Sequence, residues 1–384
     1  MIRTAEAVLD GHPDKFCDIL ADSILAEGYK ADPDCYAQIE AGVWSDAVWL
    51  SGKMITRKPI SRTVEKIVRE VGKQIGYTPD NHIDSERYRV LNEICFVEDD
   101  PRPYTAVIHD QSIVIGWAGY DERTSYLPPE QFLVHSLRRD VIASLKDGRL
   151  AGQGPDGKFL VIVRESGGEF ILEEVVVTLQ HKHGTGIRDL RTAVDSVFAD
   201  AYKEIRQSDP RWKGEWVNVR LHVNPNGELI AGGSDGDNGQ TGRKLVMDHY
   251  GPRVPIGGGA LAGKDFCHID RLGSSAARNA AIEAVQSGAS ECKITLVYAP
   301  GRNEPLDVIY DMRGSGKVLE KDYFGYQRMK RDFPAASLLQ FHGLGKKGSS
   351  PGIGNAGSNL RPYYRLAAPA GWPSTSNPVS TKTI

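Results

Sequence analysis

The chain has 384 residues, of which 40% are hydrophobic and 25% charged, and its formal net charge is −3 at pH 7. This composition is ordinary for a globular protein of roughly two to three domains. The small net charge and the lack of a basic tail argue against nucleic acid as the main partner, and no apolar run approaches the ~18 residues of a membrane span. The first residues lack an apolar signal core, and the five cysteines are scattered without a C-x-x-C pair. We therefore expect a cytoplasmic protein without structural zinc.

The first predicted helix begins at the motif GHPDK, residues 11–15, and continues through apolar residues at helical spacing. Pro13 suits its first turn, where the missing N–H costs nothing. His12, Asp14 and Lys15 therefore gather at a helix start, where amide groups and the dipole favour an anion. Asp14 indicates a metal, because a carboxylate beside a phosphate needs a cation to bridge the like charges.

Residues 36–50 are predicted to form paired strands, in which Glu40 stands among apolar neighbours. A carboxylate in such a strand is costly unless it is paired or bound to an ion. An amphipathic helix is predicted for residues 64–75. The acidic, proline-containing stretch 97–112 is predicted to be an exposed loop that returns to a strand at residues 113–117.

Helices and strands recur through the rest of the chain. The predicted helices are residues 133–145, 190–205 and 274–288, and the predicted strands are residues 159–163, 171–180, 217–223, 294–299 and 306–310, the first of them entered through a PDGK turn at 155–158. Because strand pairs and helices recur without strict βαβαβ alternation, we predict an α+β fold and not a doubly wound sheet. The Gly-, Ser-, Pro- and Asn-rich composition after Gly343 predicts an irregular tail.

Two glycine-rich loops are the part of the sequence most typical of a chemical site. They are GGSDGDNGQTGRK (232–244) and GGGALAGKDFCHID (257–270), and their charged residues include Arg243, Lys244 and Lys264 with Asp235, Asp237, Asp265 and Asp270. Glycines let a backbone approach a ligand and clustered cations neutralise a polyanion, so phosphate is the expected ligand. A P-loop is disfavoured because Asp265 stands where that motif needs Ser or Thr. The alternative for either loop is a solvated turn with incidental cations.

The motifs GHPDK, HDQS (109–112), PDGK, GDNGQTGRK and GGGALAGKD, in this order and spacing, resemble those of the methionine adenosyltransferases, or S-adenosylmethionine synthetases, from Glu6 to about Pro305. The resemblance implies three α+β domains of similar topology, related by a pseudo-threefold axis and built from interleaved segments. The implied segments are 1–9 and 120–223 for the N-terminal domain, 10–96 and 224–272 for the central domain, and 97–119 and 273–345 for the C-terminal domain, followed by an irregular tail at 346–384. A homodimer or homotetramer with interface active sites is also implied.

In this family the methionine sulfur attacks C5′ of ATP and displaces tripolyphosphate, which is then hydrolysed to pyrophosphate and phosphate. A neutral thioether needs no general base, so the barrier lies in alignment and in expelling a highly charged leaving group. The resemblance places His12 near O5′ and assigns the triphosphate to Lys15, Lys158, Arg243, Lys244 and Lys264. It assigns two Mg²⁺ to Asp14 and Asp270, K⁺ to Glu40, and substrate contacts to Asp110, Gln111, Asp156, Asp237 and His268.

The departures from the family pattern concern substrate recognition. The acid expected to meet the methionine amino group is missing, and either Lys53 or Met54 takes its place. His268 stands where a lysine is usual, Leu229 where an aromatic residue would stack on adenine, and the short acidic stretch 97–104 replaces a lid loop.

Three hypotheses follow from this uneven pattern. The first is a divergent methionine adenosyltransferase that recognises methionine through other groups, such as Glu98, Asp99 or His268. The second is a paralogous transferase that joins the adenosyl group of ATP to another sulfur or amino-acid nucleophile. The third is a nucleotide-binding or tripolyphosphate-hydrolysing partner subunit, against which His12 and Asp110 argue, since a phosphate binder needs no group at O5′.

Overall fold

The structure is a computed structural model that describes residues 1–335, so the predicted tail lies outside the described residues. The strands are β1 (Ile2–Val8), β2 (Tyr36–Trp44), β3 (Ala47–Thr56), β4 (Arg89–Glu98), β5 (Ser112–Gly119), β6 (Gln153–Ser166), β7 (Glu169–His181), β8 (Trp212–Lys213), β9 (Arg220–Val223), β10 (Gly239–Gln240), β11 (Glu291–Tyr298) and β12 (Asp307–Arg313). The helices are α1 (Pro13–Ala31), α2 (Val64–Ile75), α3 (Pro129–Asp147), α4 (Ile187–Ser208), α5 (Leu245–Asp248), α6 (Ile269–Gln286) and α7 (Tyr326–Asp332).

Within residues 1–335 the strands form three sheets, each covered by its own helices. The first sheet has the order β1-β6-β7-β8 with β9 also paired to β7, the second has the order β10-β2-β3-β4, and the third has the order β12-β11-β5. Helices α3 and α4 pack on the first sheet, α1 on the second, with α2 beside it, and α6 on the third. This arrangement confirms the predicted α+β fold. Each sheet joins segments that are distant in sequence, as when β1 pairs with β6 and β5 pairs with β11.

Two large hydrophobic cores lie beneath these sheets. One belongs to the first sheet and contains Phe159 and Phe198. The other is shared by the second and third sheets and contains Phe16 of α1 and Leu296 of β11. Helices α1 and α6 are buried over almost their whole length in the shared core. Their N-terminal ends are therefore held rigidly, which suits them to carry a site.

Among residues 1–335, no helix has both the length and the apolar character that crossing a bilayer requires.

Most elements predicted from periodicity are confirmed, and three are corrected. The prediction of a PDGK turn at 155–158 is wrong, because these residues belong to β6. The pairing of β6 with β7 shifts register between Gln153 and Gly157, which lets the strand include this irregular segment. Helix α6 begins five residues before the predicted Ser274, because His268 caps it. The predicted strand 217–223 is shortened to β9, since residues 216–218 form a 3₁₀ turn.

Candidate functional site

The start of α1 fixes His12 in one orientation. His12 is the N-cap residue, and its Nδ1 accepts the Asp14 amide at 3.2 Å. Burial, reinforced by the nearby Lys244 ammonium, lowers the pKa of His12 to about 4. The ring is therefore neutral at pH 7, and because Nδ1 accepts, its proton is on Nε2. His12 can offer this Nε2–H to an oxygen of a ligand.

Asp14 ties the first glycine-rich loop to the same helix start. Its fully buried carboxylate lies 2.5 Å from Lys244 Nζ and 3.3 Å from Arg243 Nε, and it accepts the Gln240 amide at 2.9 Å. The loop passes so close to α1 that a Cβ at Gly239 would lie 2.3 Å from the Pro13 carbonyl oxygen. Two predicted phosphate ligands are thus fixed beside His12.

Strand β6 brings further predicted residues to this helix start. Lys158, about half exposed, lies 2.8 Å from Glu6, and both Lys158 and Asp237 are near enough to affect the pKa of His12. Asp156 contacts the backbone of the first glycine-rich loop. Its carboxylate accepts the Gly233 amide at 2.7 Å, and burial raises its pKa to about 6. The structure therefore shows Asp156 holding the loop, and its contact with a substrate stays a prediction.

Lys15 lies in a buried group of ion pairs. Its ammonium is buried between Asp18 at 3.0 Å and Asp248 at 2.5 Å. Although burial disfavours the charged form, Asp248 and Asp18 raise the pKa of Lys15 above its usual range. The structure thus gives Lys15 a place in an internal ion-pair network, and its direct contact with triphosphate stays a prediction.

The start of α6 repeats the arrangement at the start of α1. His268 is the N-cap residue, its Nδ1 accepts the Asp270 amide at 3.2 Å, and burial lowers its pKa to about 4. Asp270 lies 2.6 Å from Lys264 Nζ and accepts the Ser112 hydroxyl at 2.5 Å. Each helix start therefore combines a neutral histidine with a buried aspartate paired to a loop lysine. We call these groups the α1 cluster (His12, Asp14, Lys158, Asp237, Arg243, Lys244) and the α6 cluster (Lys264, His268, Asp270, Asp110).

The remaining predicted residues lie near the α6 cluster or between the two clusters. Asp110 is exposed, and its charge acts on His268, while Gln111 is exposed beside it. Glu40 is exposed on β2 and contacts the Thr241 hydroxyl of the first loop. Glu40 is also two residues from Gln38, which forms a β-bridge with Lys264 of the second loop.

The structure settles which residue faces outward at the unusual position on β3. Met54 is fully buried in the shared core, whereas Lys53 pairs with Gln38 on the outward face. Lys53 Nζ lies 5.2 Å above the ring of Tyr104, which in turn contacts the ring of Tyr36. Of the two residues that could take the place of the missing acid, only Lys53 therefore faces outward, and its role there stays a prediction.

The donor set is compatible with magnesium bound through a ligand. Within residues 1–335 no group of three or more His, Cys, Asp or Glu side chains forms a ready metal cage. Mg²⁺ commonly uses one or two carboxylates together with substrate phosphates and water, so the single carboxylates of Asp14 and Asp270 fit this mode. Both carboxylates now neutralise a lysine. The roles of Asp14, Asp270 and Glu40 with Mg²⁺ and K⁺ stay predictions.

Sequence reasoning missed two buried aspartates that hold the loops. Asp18 accepts the Gly242 amide, and Asp22 accepts the Gly263 amide. Their four-residue spacing after Asp14 was a visible signal, because residues four apart share one face of a helix. Charged residues at this spacing usually mark the solvent-exposed face of a helix. On α1 this face is buried, which the sequence alone did not indicate.

Both cap histidines are expected to remain neutral at pH 6.5, where an ordinary histidine is half protonated. Burial lowers the pKa of each to about 4, so protonation begins only as the pH falls toward that value. Long-range ¹H–¹⁵N spectra of the apoprotein, assigned with His12→Asn and His268→Asn variants, should show a protonated Nε2 and a bare Nδ1. A titration midpoint near 6.5 would contradict the lowered pKa, and a protonated Nδ1 would contradict the inferred tautomer.

The chain is similar in sequence and fold to known proteins. Family models of S-adenosylmethionine synthetase match in three parts, the N-terminal domain at residues 1–96, the central domain at 106–229 and the C-terminal domain at 231–347. An S-adenosylmethionine synthase from Methylobacterium radiotolerans is 33% identical over 333 residues, covering 83% of this chain and 82% of the relative. One from Wolinella succinogenes is 34% identical over 328 residues, covering 82% and 81%.

A solved structure is also similar. It is described as an unusual S-adenosylmethionine synthetase from Campylobacter jejuni, with a TM-score of 0.74, 26% sequence identity and coverage of 88% of this chain and 90% of that chain. Together with the matched domains and the two relatives, this similarity shows that the chain belongs to the S-adenosylmethionine synthetase family.

Proposed function

We propose that this protein is a methionine adenosyltransferase, which transfers the adenosyl group of ATP to the sulfur of L-methionine and hydrolyses the displaced tripolyphosphate to pyrophosphate and phosphate. Family membership supports the overall reaction. The observation that carries the detailed proposal is the α1 cluster, in which a neutral histidine donor stands beside Lys244 and Arg243. A neutral hydrogen-bond donor beside two cations suits an oxygen that leaves carbon as part of a polyphosphate, because negative charge develops on that oxygen.

The chemistry requires charge stabilisation and alignment. A sulfur lone pair forms the new C–S bond as the C5′–O5′ bond breaks, and the bonding electrons leave with tripolyphosphate, so no proton is transferred. His12 donates Nε2–H to O5′, where negative charge develops. Lys158, Arg243, Lys244 and Lys264 bind the phosphate oxygens and hold the chain in line. Magnesium, when bound through Asp14 and Asp270, supplies further positive charge to the phosphates.

The α6 cluster holds the other end of the site in this proposal. His268 presents the same neutral donor as His12, and Lys264 and Asp110 lie beside it. A neutral donor binds a carboxylate less strongly than a lysine does, so this protein is expected to bind methionine more weakly than a lysine-bearing relative. Lys53 lies on the same outward face as Gln38 and Lys264, and in this proposal it provides a cation for the carboxylate of methionine.

A homodimer with active sites at its interface is part of the proposal. Trp49 and Leu91 pair on the outward face of the second sheet, where they are 45% and 39% exposed. Alternation along β3 and across to β2 puts Glu40 on the same face. Apolar side chains next to site residues are typical of a surface that another subunit covers.

Leu91→Asp is expected to convert the dimer to monomer and to abolish adenosyl transfer, because it places a charge in the apolar interface. Sedimentation velocity and an activity assay on the same samples measure both effects. Val217→Asp is the matched control, since Val217 is 85% exposed on the 3₁₀ turn that precedes β9. A fully active Leu91→Asp monomer would reject the interface site.

The proposed function is tested by incubating the protein with ATP, Mg²⁺, K⁺ and methionine, and scoring S-adenosylmethionine and tripolyphosphate products separately. S-adenosylmethionine formed only with methionine supports the proposal. ATP cleavage that requires a different thioether would replace it with a paralogous transferase. Phosphate release from added tripolyphosphate, without adenosyl transfer, would replace it with a partner subunit.

A further inference from the structure

We propose that Asp18 and Asp22 are positioning residues that hold the two phosphate-binding loops in register on α1. The inference rests on the proposed function and deepens it, because it explains how loops made largely of glycine can present cations accurately. Asp14, Asp18 and Asp22 are spaced four residues apart, so they form a single row along one face of α1. All three are buried. We call this row the aspartate row.

Each aspartate in the row makes the same two kinds of contact. One oxygen accepts a loop amide: Asp14 Oδ1 from Gln240 at 2.9 Å, Asp18 Oδ1 from Gly242 at 2.9 Å, and Asp22 Oδ1 from Gly263 at 2.8 Å. The other oxygen binds a cation: Asp14 Oδ2 binds Lys244 at 2.5 Å, Asp18 Oδ2 binds Lys15 at 3.0 Å, and Asp22 Oδ2 binds Arg271 at 2.9 Å. The cationic partner of each aspartate orients its carboxyl group, so that the other oxygen points at the loop amide.

The amides held by this row adjoin the proposed phosphate ligands. Gly242 precedes Arg243 and Lys244, and Gly263 precedes Lys264. Fixing those two amides therefore fixes the backbone from which the three cations extend. Glycine-rich backbone loses much entropy when it is ordered, so loops of this kind need external acceptors to stay in place.

The second loop shows the fit most clearly. The Gly263 carbonyl accepts the Ile39 amide at 2.9 Å, while the Gly263 amide donates to Asp22. Gly263 has a φ of 78°, and a Cβ there would lie 2.0 Å from the Ile39 carbonyl oxygen. The second loop is thus held between β2 and α1, and Asp22 accepts the hydrogen bond that joins it to α1.

A purely structural role is the competing explanation, because any buried aspartate with an ion-pair partner stabilises a fold. Asp32 provides the comparison within the same helix. It is buried at the C-terminal end of α1, where it binds Arg57 and accepts the Asp34 amide. Substituting Asp32 removes a buried, paired carboxylate without touching a phosphate-binding loop. A positioning role and a structural role therefore predict different results for Asp22 and Asp32.

The test compares full-length wild type, Asp22→Ala, Asp22→Asn and Asp32→Ala by residue-resolved hydrogen exchange, well below each melting temperature and without ligand. In Asp22→Ala the amides of residues 261–265 are expected to exchange at least about tenfold faster, since one hydrogen bond to a charged group is lost. Asp22→Asn keeps an acceptor and should recover most of the protection. Asp32→Ala should leave these amides as protected as in wild type.

Activity measurements then distinguish a positioning role of Asp22 from a purely structural one. With ATP and methionine, kcat/KM is expected to fall about 10²-fold in Asp22→Ala, to recover in part in Asp22→Asn, and to stay within about twofold of wild type in Asp32→Ala. Wild-type exchange in the Asp22→Ala loop, or equal loosening of that loop in Asp32→Ala, would overturn the proposal. A wild-type protein without adenosyltransferase activity would overturn the proposed function alone, because hydrogen exchange is measured without turnover.

Wild-type protein gives a check that does not depend on whether a variant folds. Within residues 1–335 the Gly258 amide has no acceptor, although Gly258 lies on the same loop as Gly263. The Gly242 and Gly263 amides should be protected and the Gly258 amide should exchange rapidly. Equal exchange at all three would contradict the aspartate row as an anchor.

Discussion

Replacing His12 with asparagine is expected to lower kcat about 10²- to 10³-fold without loss of stability. Asparagine is a good N-cap, so its side-chain oxygen can accept the Asp14 amide that His12 Nδ1 now accepts. The substitution removes the imidazole Nε2–H that we propose donates to O5′, and removal of one such donor in other enzymes costs this much. Steady-state kinetics at saturating ATP and methionine measure the change, and thermal unfolding checks the fold.

His222→Asn is the matched control, because His222 is exposed on β9 and pairs with Glu174. It should leave kcat unchanged. If His12→Asn turned over at the wild-type rate, His12 would have no part in the chemical step.

Lys264→Ala is expected to have a comparable effect for a different reason. Its loss removes a proposed phosphate ligand and leaves the buried Asp270 carboxylate without its ammonium partner at 2.6 Å. Asp270 would then repel the phosphate chain that Lys264 attracts. Added Mg²⁺ should restore part of the activity if Asp270 binds the metal, and a variant with wild-type activity would remove Lys264 from the mechanism.

Lys15→Ala is expected to destabilise the protein by about 3–5 kcal/mol, because breaking a buried ion pair leaves its partner charges uncompensated. Asp18 and Asp248 are both buried against the Lys15 ammonium. This loss is a large part of the roughly 5–15 kcal/mol that stabilises a typical protein. Urea denaturation measures it through the free energy of unfolding.

Lys66→Ala provides the contrast, since its ammonium is exposed and lies 3.9 Å from Glu70 on the surface of α2. Such surface pairs are worth about 0–1 kcal/mol. Equal effects of the two substitutions would mean that the Lys15 network does not contribute as its burial suggests.

The sequence was informative where a local pattern decides the structure. Apolar spacing predicted α2 and α4 because a helix must bury one face, and Pro13 correctly marked the first turn of α1. The His12 and Asp14 pairing followed from their position at that helix start. These features depend on neighbours within a few residues.

Other features depend on contacts between distant segments, which no local pattern encodes. No local pattern indicates that Asp248, 233 residues away in sequence, binds the Lys15 ammonium inside the protein, and the contact of Lys15 with triphosphate that the resemblance implies stays a prediction. The PDGK segment has the composition of a turn, yet pairing of Lys158 with Thr178 keeps it in a sheet. The resemblance of His268 to His12 became visible only when both were seen as helix caps.

The two large hydrophobic cores affect how the residues of the candidate site are held relative to one another. Lys158 lies on β6, in the sheet that covers one core. His12 caps α1 and Lys244 pairs with Asp14 of α1, and this helix is buried in the other core. The candidate site therefore combines side chains from two separately packed parts of the protein, and the bond from Gly233 to Asp156 joins these parts beside it. A substitution that repacks either core can therefore displace Lys158 relative to His12 and Lys244 without changing any residue of the site.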